Sequence, residues 1–304
     1  MKGHPAGRCL GVLVLAVACG GQAPPPVTGT PGAGARFIIG GDSRDDASHV
    51  LPWAFSEAKA RGAAGFLFLG DMELTPQLDE HFQKELALLD PVPFYPVLGN
   101  HEVRTFGFIP TAHAAAEKAF RDRFLGTPRT PVVSSIPDKV VYAVNLPGGV
   151  HFVAMDNVSQ DGFGDAQLTW LATDLAAARQ DTSIRYIIVG MHKPLAKNGV
   201  STHSMEHDGA HALADSDAAL ALMERYSVSL IVASHVHEFA KVDDKAWGGI
   251  PGYITGGLGA PLSGGGPEHA FHHFLEVDVA DDGLHVSAVR FGGPPSVGEE
   301  EKGE

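Results

Sequence analysis

The chain has 304 residues, 44% hydrophobic and 19% charged, which is enough apolar material for a buried core and excludes an intrinsically disordered chain. Thirty-six acidic residues against 22 basic ones give a formal charge of −14, which disfavours sequence-independent binding to a nucleic-acid scaffold but leaves room for a small anionic substrate if a metal inverts the local field. Two cysteines cannot build a disulfide framework, whereas 16 histidines, with Asp and Asn, can build a metal site.

Residues 1–18 read as a signal peptide. Lys2 and Arg8 precede an apolar stretch at 10–18 that is too short to span a bilayer. Ala16, Val17 and Ala18 place small residues before a cleavage point, and Cys19 follows. That ending resembles the lipobox of bacterial lipoproteins, which implies export to the cell envelope and a membrane anchor at Cys19. The plainer alternative is a soluble secretory or periplasmic protein cut after the same residues. Residues 19–35, rich in Gly and Pro, read as a tether, and residues 292–304 as a solvated acidic tail. The expected folded domain is 36–291.

Within it, short apolar runs at 36–40, 65–69, 94–98, 140–146, 150–155, 186–189, 230–233, 252–255, 274–279 and 284–291 read as strands. Helical patterns fall at 47–61, 76–89 (with Thr75 as cap), 112–124, 166–180 and 215–226. The alternation argues for a layered α/β or α+β fold.

The residues just after the strands carry the chemistry. Gly40-Gly41-Asp42-Ser43-Arg44 follows the first, Gly70-Asp71 the second and Gly99-Asn100-His101-Glu102 the third. Gly190-Met191-His192 follows the run ending at 189, and Ser234-His235-Val236-His237 the run ending at 233. Ligand-type groups at the carboxyl ends of strands converge on one rim of such folds. Singly, each Asp, Asn or His here also reads as a turn, cap or loop residue. Five in order do not.

This ordered set resembles the calcineurin-like metallophosphoesterases, including the purple acid phosphatases, across nearly all of residues 36–291. The resemblance implies a four-layer α/β/β/α sandwich of two mixed sheets flanked by helices. It implies metal-dependent phosphoester hydrolysis by a metal-activated hydroxide, with two divalent or trivalent ions (Fe, Mn, Zn or similar) and a small phosphorylated substrate. Asp71 would bridge the ions, Asp42 and His237 would complete the first site, and Asn100, His192 and His235 the second. His101 would stabilise the transferring phosphoryl group and protonate the leaving oxygen, with Glu102 orienting its ring.

Arg44 departs from the pattern. It stands where many family members carry a metal-binding histidine, and Leu74 stands where the purple acid phosphatases carry a tyrosine ligand. Arginine stays protonated and offers no lone pair. Three readings remain: Asp45 supplies the missing oxygen, the first ion binds weakly, or Arg44 grips the substrate phosphate with its planar fork. The function expected is a phosphomonoesterase, with a phosphodiesterase or a non-catalytic anchored binding lipoprotein as alternatives. His203 and His207 read as polar loop residues, with the site mouth as an alternative, and His272 and His273 as surface or partly buried. Trp53, Trp170 and Trp247 read as packing, and the Gly256-Gly257-Leu258-Gly259 and 264–266 clusters as a flexible loop near the site.

Expressed from its full coding sequence in a bacterial host, the protein should incorporate radiolabelled palmitate, and Cys19→Ala should abolish that label. Unchanged labelling of the variant would refute the lipid anchor.

Overall fold

The computed structural model describes residues 34–46, 49–72, 76–104, 110–158, 162–243, 245–263 and 265–292. The signal peptide, Cys19, most of the tether, Leu74, Thr75, Gly264 and the tail beyond residue 292 lie outside the described residues. Among the described residues no helix is long and apolar enough to cross a membrane.

Two mixed sheets form the centre. In the first, β1 (Arg36–Gly40), β2 (Gly65–Phe68) and β3 (Phe94–Pro96) run parallel, and β10 (His273–Val279) and β11 (Leu284–Arg290) continue from β1 antiparallel, in the order β11-β10-β1-β2-β3. The second has the order β4-β5-β6-β7-β9-β8. Its parallel core is β5 (Val150–Ala154), β6 (Tyr186–Gly190), β7 (Leu230–Ala233) and β9 (Gly252–Thr255). Antiparallel strands β4 (Tyr142–Leu146) and β8 (Phe239–Lys241) close its two edges. The short strand β8 was not expected from the sequence.

The apolar strand runs show why the sheets lie face to face. Alternate residues of a strand point to opposite faces, so a run that is hydrophobic throughout must be covered on both. Phe37, Ile39, Leu67 and Leu69 meet Phe152, Ile188, Leu230 and Val232 between the sheets. Their neighbours Ile38, Phe66 and Phe68 pack outward with residues of α1 (Val50–Ala60) and α2 (Pro76–Leu86), and with Phe120 and Phe124 of α4 (Pro110–Phe124). On the far side, Val153, Ile187, Val189 and Ile231 meet α5 (Gly164–Gln180) and α6 (Ala210–Arg225) through Leu171, Leu175, Ala219 and Met223. Leu51, Ala54, Phe55 and Ala58 show the i, i+3, i+4, i+7 spacing of a one-faced helix. Five-residue α3 (Asn100–Arg104) opens where a loop was expected, directly after β3.

Asp46 caps α1, its carboxylate accepting the backbone N–H of Val50 at 2.9 Å and of Leu51 at 3.0 Å. His273 departs from expectation: it is fully buried at the start of β10, whereas His272 is partly buried. Its Nδ1 donates to the Phe271 carbonyl at 2.8 Å, so Nε2, 3.1 Å away, accepts the Thr255 hydroxyl. Burial pushes its pKa from 6.5 to about 4.

The unfolded chain protonates His273 near its ordinary pKa, whereas the folded chain resists protonation down to about pH 4. Stability present above pH 6.5 should therefore be lost as pH falls through that window, by on the order of 3 kcal/mol. Urea midpoints compared between wild type and His273→Asn across pH 4–7 check this. The variant should lack that component of the slope.

Candidate metal centre

Three parallel strands of the first sheet and two of the second deliver side chains to one rim. Asp42 leaves β1, Asp71 leaves β2, Asn100 and His101 open α3 after β3, His192 leaves β6, and His235 and His237 leave β7. Asp42, Asp71 and His235 have left-handed backbone, with φ of 61°, 63° and 69°. Asp and His tolerate this region better than most residues, and such conformations cluster where a side chain must be aimed. The turn at Gly70 touches the turn at Gly99: a Cβ on Gly70 would sit 2.6 Å from the Gly99 Cα. Only glycine lets these two ligand-bearing turns meet.

Two groups of donor atoms result, each within 4.8 Å and sharing Asp71. The first holds Asp42, Asp71 and His237, and the second Asp71, His192 and His235. Asn100 joins the second, its Oδ1 lying 2.9 Å from His192 Nε2. His192 Nδ1 donates to the Leu69 carbonyl at 2.8 Å, so Nε2 presents a lone pair. That lone pair faces the Asn100 oxygen and Asp71 Oδ1 at 3.3 Å, with His235 Nδ1 at 3.1 Å. His237 Nδ1 likewise donates to the Pro261 carbonyl at 2.8 Å, and its Nε2 looks at Asp42 Oδ1 across 3.4 Å. Asp42 Oδ1 is buried without a hydrogen bond. Acceptors thus face acceptors, an arrangement that a cation resolves. Carboxylate, amide oxygen and imidazole are the donors that suit hard and borderline divalent ions.

The electrostatics agree. Burial opposes ionisation of Asp42, but the neighbouring His237 and His192 imidazoles and the Ser234 hydroxyl hold its carboxyl well below the usual range. Asp71 is pushed well above that range, first by burial and then by the Asp42 charge. Two buried carboxylates side by side do not both ionise without a counter-charge, and a bound cation supplies one. Burial, reinforced by His192, lowers the His235 pKa to about 2, which keeps its ring neutral and able to ligate.

Glu102 also reaches groups that its position in the sequence does not announce. Its buried carboxylate accepts the backbone N–H groups of Asp71 (3.0 Å), Met72 (2.7 Å) and Gly99 (2.7 Å), and so clamps the two ligand turns together. Burial and the Asp71 charge push its pKa up to about 7. The His101 ring lies 3.8 Å from Asp71 Oδ2, and its backbone N–H donates to Asp71 Oδ1 at 2.8 Å. Arg44 is half-buried, with its backbone N–H on the Asp71 carbonyl at 2.9 Å, and its charge acts on both Asp71 and His237. Asp45 is exposed and outside both donor groups, which removes the support for it as a replacement ligand.

Two further features correct the sequence reading. His203 stands edge-on to His235, ring centroids 4.5 Å apart, so this loop residue belongs to the rim. The cluster Gly256-Gly257-Leu258-Gly259 is no flexible loop. A Cβ on Gly256 would come within 2.8 Å of Asp42 Oδ2, and one on Gly257 would overlap the His273 ring. Leu258 and Ala260 donate their N–H groups to the Gly41 and Asp42 carbonyls, making this segment the packed wall behind Asp42.

A two-sheet α/β sandwich with an Asp/Asn/His rim at its strand ends defines a class of metal-centred hydrolase folds. Residues 36–239 match the calcineurin-like phosphoesterases, and the chain belongs to that family of metal-dependent phosphoester hydrolases. Uncharacterized proteins of two Mycobacterium tuberculosis strains, H37Rv and CDC 1551, are each 28% identical over 161 residues, 49% of this chain. The match spans only 28% of those relatives' length. The purple acid phosphatase from yellow lupin seeds superposes with a TM-score of 0.64 at 16% identity, over 85% of this chain and 52% of that one. A dimetal phosphatase from Danio rerio gives 0.58 at 15%, over 84% and 96%. GAP50, the anchor in the inner membrane complex of Plasmodium, gives 0.57 at 15%, over 84% of each chain. At these identities the likeness is one of fold.

Glu102→Ala should leave three buried N–H groups without their acceptor, costing roughly 3 kcal/mol or more, and should release bound metal. Urea denaturation together with metal content after dialysis checks it. Wild-type values of both would refute the clamp.

Proposed function

We propose that the protein is a metal-dependent phosphomonoesterase acting on small phosphorylated substrates. The convergence of two donor groups on Asp71, with lone pairs facing lone pairs, carries this reading. Asp42, Asp71 and His237 would hold one ion, and Asp71, Asn100, His192 and His235 the other. When bound, such ions supply charge to phosphoryl oxygens and acidify water.

The chain's own side chains complete the site. The His101 ring, beside Asp71 and partly open to solvent, is placed to give a proton to the leaving oxygen. Arg44 is placed to grip non-bridging phosphate oxygens with its planar fork. Its charge favours a monoester dianion over a diester monoanion, which supports the monoesterase. A phosphodiesterase would use the same residues. One observation favours a second reading, an anchored binding protein that does not turn over: the first donor group has three members, with Arg44 where a fourth ligand was expected. The exported location with a lipid anchor at Cys19 remains part of the proposal.

Hydrolysis of p-nitrophenyl phosphate should exceed that of bis-p-nitrophenyl phosphate and should stop with a chelator. No chelator-sensitive turnover on either ester would sink the enzyme reading, and a preference for the diester would make it a phosphodiesterase. Asp71→Asn should lose metal and activity together. His101→Ala should keep metal and lose on the order of 10²–10⁴-fold in rate. Arg44→Ala should weaken inhibition by phosphate while leaving metal content intact; the reverse pattern would discard the phosphate contact.

A further inference from the structure

The two oxygens of the Asp42 carboxylate live in different surroundings. Oδ2 accepts the backbone N–H of His235 at 2.7 Å and also the hydroxyl of Ser234. Oδ1 is left buried, without a hydrogen bond, facing His237 Nε2. Ser234 is itself fully buried and pinned, its own N–H on the His192 carbonyl at 2.8 Å. Asp42 comes from the first sheet and Ser234 from the end of β7 in the second, and among the described residues no strand ladder joins the two sheets. The hydroxyl fits only because residue 41 is glycine: a Cβ there would overlap Ser234 Oγ.

We propose that Ser234 is a positioning residue that locks the Asp42 carboxylate across the two sheets, saturating one oxygen so that the other is presented to the first metal-binding group. The proposal rests on the metal-centre reading above. A carboxylate held by two donors on one oxygen cannot rotate to exchange its oxygens. With only the His235 N–H left, it turns more freely about its last torsion, and ligand geometry at the first group loosens. The second group meets Asp42 through the His235 backbone N–H, and its His192 ring has separate support from the Leu69 carbonyl. Loss of the hydroxyl therefore acts first on the group that Asp42 itself joins.

The test is a Mn²⁺ titration of the metal-stripped full chain, with free Mn²⁺ followed by its electron paramagnetic resonance signal. Wild type should take up two equivalents. Ser234→Ala should weaken one step roughly 10–100-fold and the other far less. Ser234→Cys, with a weaker donor of similar shape, should show a smaller loss in the same step, and it serves if the alanine variant folds poorly. In an Asp42→Asn background, which removes the carboxylate that Ser234 positions, Ser234→Ala should add nothing. Equal weakening of both steps, or no change in either, would overturn the proposal as a structural effect or none. Fewer than two equivalents on the wild type would overturn the two-ion reading itself, and the proposal with it.

Discussion

Two carboxylates buried next to each other repel, and the rest of this structure is arranged around that repulsion. Asp42 and Asp71 sit at 0% and 1% exposure just beyond the ends of neighbouring strands, and the charge of one raises the proton affinity of the other. A protein selected for stability alone would have no reason to keep both. Here they are held by left-handed turns, a glycine-to-glycine contact and a buried glutamate clamp, and the His192 and His237 rings turn their protonated nitrogens away from them. The strain makes sense as pre-organisation for a positive charge.

That charge would be shared unequally. The second donor group collects Asp71, Asn100, His192 and His235 around deeply buried atoms. The first has Asp42, Asp71 and a partly buried His237, with the Arg44 guanidinium as a neighbour. A cation beside a guanidinium binds less tightly than one beside a neutral ligand, whereas an anion bridging them gains from both. On the function proposed, the same residue that would weaken the ion's hold would favour a highly charged phosphate.

The rim was legible in the sequence because its residues stand at strand ends, where a local pattern decides position: an apolar run, then glycine, then a ligand. Strand existence was equally legible, since runs such as 230–233 are too short and too apolar to be anything but buried strands. What failed was whatever depends on contacts between distant segments. Nothing local to Glu102 says that its carboxylate accepts backbone N–H groups at Gly99 and, across the turn contact, at residues 71 and 72. Gly256 and Gly257 looked flexible because nothing local says that Asp42 and His273 fill the space where their side chains would be. His203 carries no local mark of its place against His235.

The glycine wall has a consequence for how this scaffold can diversify. Behind Asp42, at Gly256 and Gly257, there is no volume for even a methyl group, so that side of the centre is closed to variation in shape. Exposed His203, which leans on His235 from a surface loop, is not part of that wall. New substrates would be accommodated more readily by rewriting that loop than by changing the wall.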